Sequence, residues 1–255
     1  MPAPQNRFKA AILERRRQIG MWLALASGYS AEIAANAGYD WLVIDAEHAP
    51  NDIPLILAQL QALAPYPAAA VVRLASDESW MIKQVLDIGA QTILVPMIEC
   101  GEQARRVVAA TRYAPEGVRG IGAALARASR FNGIADYIAT ANAEIGVLVQ
   151  VETRAGLAAI EDICAVEGVD GIFVGPSDLA ADMGFPGNSA HAEVQAEVLR
   201  AIARIVAGGK ACGILTSNPD QVRDYLAAGC SFVAVGSDIG VLTAGLKSLR
   251  KTFAD

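Results

Sequence analysis

In Ile145-Gly-Val-Leu-Val-Gln-Val-Glu152 and in Val169-Asp-Gly-Ile-Phe-Val-Gly-Pro-Ser-Asp178, a short apolar run leads into an acidic residue. An amphipathic segment of helical length, residues 154–166, lies between the two runs. Runs that are apolar on both faces are typical of parallel strands covered by helices on both sides. The pattern therefore predicts a βαβ unit with its carboxylates at the carboxyl ends of the strands, where an α/β barrel carries its active site.

The same alternation of apolar runs and amphipathic segments continues along the rest of the chain. The other runs are 20–27, 41–48, 68–74, 92–99, 211–217 and 232–237, which makes eight. Several of the intervening segments begin with a capping residue and end in glycine, as helices do. Eight such units in 255 residues predict an α/β fold, a (β/α)8 TIM barrel forming a single domain over residues 1–255. A doubly wound sheet is the alternative, but no G-x-G-x-x-G follows the first run.

Two segments do not fit a minimal barrel. Residues 116–132 are rich in Gly and Arg and follow the fourth run, so we expect them to lie over the catalytic face as a lid. A plain surface excursion is the alternative for this segment. The amphipathic segment 8–17 is expected to close the bottom of the barrel or to pack on a neighbouring subunit.

Composition narrows the class of protein. The formal charge of −6 and the pI of about 5.0 argue against a nucleic-acid partner, which would require a basic face. The longest uncharged stretch, 53–72, is interrupted by three prolines and does not predict a membrane span. The four cysteines show no C-x-x-C and no zinc-site spacing and are expected to be reduced thiols, and the first residues lack an apolar signal core. These features predict a cytoplasmic protein.

Polar side chains gather at the carboxyl ends of the predicted strands and are rarer at the starts. They are Asp45, Glu47 and His48 at the second run, Arg73 at the third, Glu99 at the fourth, Gln150 and Glu152 at the fifth, Ser177 and Asp178 at the sixth and Asp238 at the eighth. The carboxyl ends of barrel strands meet at one face. The distribution therefore predicts an enzyme with its active site at that face.

Two of these carboxylates could hold a metal ion. Glu152 and Asp178, with water and substrate oxygens completing the shell, suit Mg²⁺ or Mn²⁺. Gln150 lies two residues before Glu152, so both side chains face the same way and Gln150 could contact a ligand. The alternative is that Glu152 and Asp178 only cap the helices that follow them.

His48 and Arg73 are the candidate catalytic side chains. A histidine among acids at a strand end is suited to act as a general base near neutral pH, and a structural histidine is the alternative. A guanidinium in the barrel mouth suits a substrate carboxylate or a developing oxyanion, and a salt bridge to one of the acids is the alternative. Asp87 lies in a predicted helix and, from the pattern alone, is a surface charge.

Six motifs together resemble the HpcH/HpaI aldolases, which are class II, metal-dependent pyruvate aldolases. The motifs are I-D-A-E-H at 44–48, V-R-L at 72–74, V-P-M-I-E at 95–99, S-R-F at 129–131, V-Q-V-E-T at 149–153 and V-G-P-S-D-L-A at 174–180. The resemblance spans nearly the whole chain and is greatest to the hydroxy ketoacid aldolases, which accept hydroxypyruvate as well as pyruvate.

The resemblance implies a role for each site residue. Glu152 and Asp178 would hold the divalent metal (Mg²⁺, Mn²⁺ or Co²⁺), without any organic cofactor. Gln150, Ser177 and Leu215 would contact the 2-oxo acid. Arg73 would bind its ketone oxygen, His48 would be the base, Asp87 would raise the basicity of that histidine, and Asp45 would belong to the same polar cluster.

The resemblance also implies an activity and an assembly. The protein would be an aldehyde-lyase, a carbon–carbon lyase that catalyses reversible aldol addition between a 2-oxo acid and an aldehyde. The alternatives are a barrel lyase of the phosphoenolpyruvate mutase or citrate lyase β type, and a non-catalytic, metal-dependent protein that binds 2-oxo acids. The expected assembly is a homo-hexamer, a dimer of trimers, with the C-terminal helix at 241–253 exchanged between subunits. Neither nucleic acid nor membrane is an expected partner.

Overall fold

The computed structural model describes residues 1–253, and its centre is a closed barrel of parallel strands in chain order. The strands are β1 (Gln18–Leu23), β2 (Trp41–Asp45), β3 (Ala69–Arg73), β4 (Thr92–Val95), β5 (Gly146–Val151), β6 (Gly171–Val174), β7 (Ala211–Leu215) and β8 (Phe232–Ser237). Strand β8 pairs with β1 and closes the barrel. The predicted α/β fold, a (β/α)8 barrel, is confirmed.

Several strands end earlier than the apolar runs that predicted them. The first run extends to residue 27 and the fourth to residue 99, whereas β1 ends at Leu23 and β4 ends at Val95. Beyond those points the backbone turns through left-handed conformations, at Ala26 (φ 51°) and at Met97 (φ 55°). The apolar character therefore continues into the loops at the carboxyl ends, where the chain has already left the sheet.

Helices surround the barrel and connect its strands. They are α1 (Arg7–Leu13), α2 (Gly28–Ala35), α3 (Ile53–Leu63), α4 (Ser79–Asp87), α5 (Gly101–Thr111), α6 (Tyr137–Glu144), α7 (Arg154–Ala158), α8 (Ile160–Cys164), α9 (Pro176–Asp182), α10 (Ala192–Ala207), α11 (Pro219–Ala227) and α12 (Asp238–Thr252). The side chains of Ser27, Asp52 and Asn218 cap α2, α3 and α11. Among the described residues, no helix is long and apolar enough to cross a membrane.

The inside of the barrel has its own hydrophobic core, separate from the layer between strands and helices. Helix α1 contributes Phe8, whose ring centroid lies 5.4 Å from that of Trp41 and 5.9 Å from that of Phe232. Burying such an aromatic side chain contributes roughly 2–3 kcal/mol. The N-terminal helix therefore closes the amino-terminal end of the barrel, one of the two placements that the sequence predicted.

The Gly- and Arg-rich segment 116–132 is not a lid over the catalytic face of its own barrel. It follows α5, which has already returned the chain to the amino-terminal end of the strands. There Arg119 Nη2 donates to Asp87 Oδ1 at 2.7 Å, and Arg127 Nη1 donates to the carbonyl of Ile88 at 3.1 Å. The lid prediction was wrong because the sequence pattern placed the segment after β4 without accounting for the direction of the helix between them.

Candidate active site

The alternation of side chains along the strands brings polar groups into the mouth of the barrel. Val43, Val71, Leu148 and Phe173 belong to the core inside the barrel. Successive side chains of a strand point to opposite faces, so residues two positions further along also face inward. These positions are Asp45, Arg73, Gln150 and Gly175, and Glu152 follows Gln150 on the same face.

Arg73 is held between two carboxylates at this mouth. Its Nε and Nη2 donate to the two carboxylate oxygens of Asp45 at 2.9 and 2.7 Å, and its Nη1 lies 2.6 Å from Glu47 Oε2. Its guanidinium carbon lies 5.0 Å from the centroid of the Trp22 ring. Two of the five N–H groups of this arginine thereby donate to Asp45, and its charge also pairs with Glu47, so other N–H groups remain available to a ligand.

Glu47 is a site residue to which the sequence assigned no role. It bridges Arg73 and His48, whose Nε2 lies 3.8 Å from Glu47 Oε1. Burial raises the pKa of Glu47 above its usual value, although the positive charge of Arg73 opposes that rise. Its place just after the end of β2 was the available signal, because residues that follow the carboxyl end of a barrel strand line the active-site face.

His48 stands at the rim of the mouth, with a side chain that is 67% exposed. Its backbone N–H donates to Asp45 Oδ1 at 3.4 Å, which ties the loop after β2 to the same carboxylate that holds Arg73. Because its side chain is mostly exposed, the imidazole can contact a substrate that enters from solvent.

Glu152 is a buried carboxylate with no cationic partner among the described residues. Its Oε1 accepts the Met97 N–H at 2.9 Å, and its Oε2 accepts from the side-chain amide of Gln150. Burial raises the pKa of Glu152 to about 7; the Met97 hydrogen bond opposes the rise, and the negative charges of Asp178 and Glu47 add to it. The surroundings of Glu152 therefore disfavour the charged form of its carboxyl group.

Neither acid caps the helix that follows it. Thr153, not Glu152, accepts the hydrogen bond that caps α7, and α9 begins after Gly175 without a side-chain cap. Asp178 lies in the first turn of α9 and makes no hydrogen bond or ion pair within residues 1–253. The capping alternative for Glu152 and Asp178 is therefore contradicted.

The donor set of this mouth fits a hard divalent cation. Asp45 and Glu47 pair with the one guanidinium of Arg73, whereas Glu152 feels the negative charges of Asp178 and Glu47 and pairs with no cation among the described residues, so negative charge is in excess. The buried Oε1 of Gln150 has no hydrogen-bond partner among the described residues. No three His, Cys, Asp or Glu side chains of residues 1–253 are grouped closely enough to hold a metal alone, so water and substrate oxygens would complete the shell.

One cavity of about 650 Å³ joins most of the predicted site residues. They are His48, Arg73, Gln150, Ser177, Asp178 and Leu215. This volume is within the range of small-molecule sites, about 300–1,000 Å³. Asp87 is not among them, because it ends α4 near the amino-terminal end of the barrel and pairs there with Arg119 at 2.7 Å. Within one chain the structure does not bring Asp87 and His48 together.

Known proteins resemble this chain in both sequence and structure. Residues 18–244 match the HpcH/HpaI aldolase/citrate lyase family. The chain is 56% identical over 253 residues to the hydroxypyruvate/pyruvate aldolase of Agrobacterium fabrum, with 99% of this chain and 95% of that protein covered. It is 53% identical to the 4-hydroxy-2-oxo-heptane-1,7-dioate aldolase of Salmonella paratyphi B, with 98% and 95% covered. A crystal structure of a family member from Burkholderia cenocepacia superimposes with a TM-score of 0.93 at 38% identity, with 98% and 100% covered.

Proposed function

The chain belongs to the HpcH/HpaI aldolase/citrate lyase family and is an aldolase, and from this premise we propose its donor substrate, its cofactor and the roles of its residues. The donor is a 2-oxo acid, pyruvate or hydroxypyruvate, which adds reversibly to an aldehyde. The cofactor is a divalent cation, Mg²⁺, Mn²⁺ or Co²⁺, held by Glu152 and Asp178. We further propose that residues 1–255 form one domain and that the protein acts in the cytoplasm.

One observation carries this proposal: a buried Glu152 without a cationic partner stands near Asp178 in the same mouth as Arg73. When bound there, a divalent cation would supply a Lewis acid that stabilises negative charge on the substrate oxygens. The chain contributes a second positive charge through Arg73, whose uncommitted N–H groups are suited to the ketone oxygen of the 2-oxo acid. Asp45 and Glu47 hold that guanidinium in one orientation before substrate arrives.

His48 is the proposed base. In the cleavage direction it takes the proton from the 4-hydroxyl oxygen of the substrate, and the C3–C4 bond breaks to release the aldehyde. Gln150 and the backbone at Ser177 contact the 2-oxo acid, and Leu215 gives an apolar contact from β7. The proposed effect of Asp87 on the basicity of a histidine would require a contact across a subunit boundary, because its own His48 lies at the other end of the barrel.

The assembly that we propose is the hexamer with exchanged C-terminal helices. Helix α12 supports it, since none of its residues is buried although Val241, Leu242, Leu246 and Leu249 are large and apolar. An apolar face of this kind on an isolated chain is typical of a protein–protein contact.

Pyruvate release from 4-hydroxy-2-oxo acids, measured with and without chelation, tests the proposed function. Activity should disappear in EDTA and return with Mg²⁺, Mn²⁺ or Co²⁺. Full activity in EDTA would overturn the proposal that the enzyme uses a divalent cation. Release of neither pyruvate nor hydroxypyruvate from any adduct, with cation supplied, would overturn the donor and favour a protein that binds without catalysis.

A further inference from the structure

The cavity continues outward from the 2-oxo acid site to a second wall built from a different part of the barrel. This outer wall consists of side chains from the loop after β7, from α10 and α11, and from the loop before α10. They are Ser189, Gln195, Thr216, Asn218, Gln221 and Tyr225. All six are polar and uncharged at neutral pH. Because the donor occupies the inner end in the proposed function, the outer wall faces the part of the substrate contributed by the aldehyde.

One half of the outer wall is fixed by its own hydrogen bonds. The hydroxyl of Tyr225 donates to Gln195 Oε1 at 2.7 Å, and Gln195 Nε2 donates to the carbonyl of Ser189 at 2.7 Å. Tyr225 is buried, so this chain of bonds anchors α10 and its preceding loop to α11. The amide of Gln195 uses both ends within the protein and serves to position the wall.

The other half offers free donors to a ligand. The hydroxyl of Thr216 donates to Gln221 Oε1 at 2.6 Å, which directs the amide nitrogen of Gln221 away from this contact. Asn218 Oδ1 accepts the backbone N–H groups of Asp220 and Gln221 at 2.9 and 3.4 Å. The side-chain nitrogens of Gln221 and Asn218 make no hydrogen bond within residues 1–253, so both are available to substrate oxygens.

The basic side chains of the cavity lie away from the outer wall. Arg73 and His48 are its basic lining residues within the described part of the chain, and they belong to β3 and to the loop after β2, across the barrel from β7. Arg73 is already paired with Asp45 and Glu47. An aldehyde that carried a carboxylate or a phosphate would place this charge against uncharged groups, without an ion pair to offset its desolvation. A hydroxyl group would lose no such stabilisation and would gain a hydrogen bond from an amide.

We infer that the outer wall selects uncharged, hydroxylated aldehydes over aldehydes that carry a second acidic group, and that Gln221 is the residue that determines this specificity. The inference rests on the proposed function, because it takes the inner end as the 2-oxo acid site. It concerns the acceptor, which the name hydroxypyruvate/pyruvate aldolase of the Agrobacterium fabrum relative leaves unstated.

The test measures the aldol addition of pyruvate to three different aldehydes. Glyceraldehyde and propanal share a three-carbon chain and differ in two hydroxyl groups, and succinic semialdehyde carries a carboxylate. Wild-type kcat/KM should be highest for glyceraldehyde and lowest for succinic semialdehyde. Because hydroxylation also alters the reactivity of an aldehyde, the decisive readout is the change of the glyceraldehyde-to-propanal ratio in a variant.

Gln221→Leu removes the amide and keeps the size of the side chain. The glyceraldehyde-to-propanal ratio of kcat/KM should fall by about threefold to tenfold, the effect of one uncharged hydrogen bond. Gln61→Leu is the matched control, since Gln61 is exposed on α3 outside the cavity, and it should leave the ratio as in wild type. An unchanged ratio in Gln221→Leu would overturn the inference.

Gln221→Arg is a second variant, for the case that the leucine variant folds poorly. Here the inference predicts a gain of activity towards an acidic aldehyde. The new cation should raise kcat/KM for succinic semialdehyde by about tenfold or more relative to glyceraldehyde. No gain in a folded Gln221→Arg protein would count against the role of Gln221.

A measurement that needs no acceptor separates this inference from the proposed function. Exchange of the pyruvate methyl protons in D₂O, followed by NMR, reports formation of the enolate at the inner end alone. If exchange is absent with cation supplied, both proposals fail. If exchange is normal but wild type prefers succinic semialdehyde or treats all three aldehydes alike, the proposed function stands and the acceptor inference is wrong.

Discussion

Arg73 and Asp45 are register partners on the adjacent strands β3 and β2, and their side chains form a two-pronged ion pair with N–O distances of 2.9 and 2.7 Å. Burial opposes the ionisation of Asp45, but the hydrogen bonds and the positive charge of Arg73 outweigh it and hold the pKa of Asp45 below its usual value. The sheet itself therefore fixes the orientation of the guanidinium. Because the guanidinium is already oriented, it does not have to reorient during the reaction in order to stabilise negative charge on the substrate.

Asp45→Asn should lower kcat by about tenfold to a hundredfold, because the amide leaves one oxygen where the fork of Arg73 needs two. The variant should stay folded, since the amide keeps the size of the side chain. Steady-state cleavage of a 4-hydroxy-2-oxo acid and circular dichroism measure the two effects. Asp162→Asn, at an exposed position on α8, is the control. Wild-type kcat in Asp45→Asn would show that the orientation of Arg73 does not depend on this pair.

Glu152 predicts how stability depends on pH and on the cation. Its pKa is about 7 in the folded protein, against an ordinary value of 4.5, because of burial and the nearby carboxylates. The folded state thus binds this proton more tightly than the unfolded state does. In metal-free protein the resulting stabilisation is full below about pH 4.5 and is lost as pH rises through about 7.

A divalent cation binds the deprotonated carboxylate of Glu152, so the stabilisation that the cation gives should increase as pH rises. The rise in Tm on adding Mn²⁺ should be larger at about pH 8 than at about pH 6, as measured by differential scanning fluorimetry. In Glu152→Gln the rise should be small at both pH values. An equal rise at both pH values in wild type would mean that the cation does not compete with a proton on Glu152.

Gly175→Ala should remove most activity while leaving the backbone undistorted. The φ angle of Gly175 is −103°, which alanine adopts readily, so the effect is purely steric. A Cβ at this position would collide with the carboxylate of Glu152 and lie 3.0 Å from Gln150 Nε2. The affinity for Mn²⁺, measured by calorimetry, should fall together with kcat. Gly184→Ala is a poor control because its φ is +89°, whereas Gly28→Ala, at a helical position with only ordinary contacts, should be nearly neutral.

The barrel and the candidate residues at the strand ends could be predicted because alternation is a local property, whereas the assignment of Leu215 came only from the family resemblance. The spacing of Gln150 and Glu152, or the end of an apolar run at Arg73, places a side chain on a face without knowledge of distant residues. The bridge from Glu47 to both Arg73 and His48 depends on contacts across strands that no local pattern contains. The prediction placed segment 116–132 at the wrong end of the barrel, and it did not include the ion pair between Asp87 and Arg119. Both features depend on α5, which returns the chain to the amino-terminal end of the strands.

Phe8→Ala should destabilise the protein without altering its chemistry. Phe8 is 2% exposed at the closed end of the barrel, in contact with Trp41 and Phe232 and away from the cavity that holds His48 and Arg73. Truncation of a buried phenylalanine costs about 3–5 kcal/mol in unfolding free energy, which urea titration would measure. Activity per folded molecule should remain that of wild type. A loss of activity without loss of stability would mean that α1 acts on the site and not only on the core.

Leu246→Asp should reduce the size of the assembly. Leu242, Leu246 and Leu249 recur at helical spacing along α12 and are 48%, 59% and 62% exposed in the single chain. A carboxylate in the middle of this stripe would have to be desolvated in any contact that covers it. Light scattering coupled to size-exclusion chromatography should show a smaller species than in wild type. Ala244→Asp is the matched control, because position 244 lies on the opposite side of the helix by the same periodicity. If both variants keep the wild-type mass, the stripe on α12 is not the contact, and the proposed exchange of C-terminal helices is wrong.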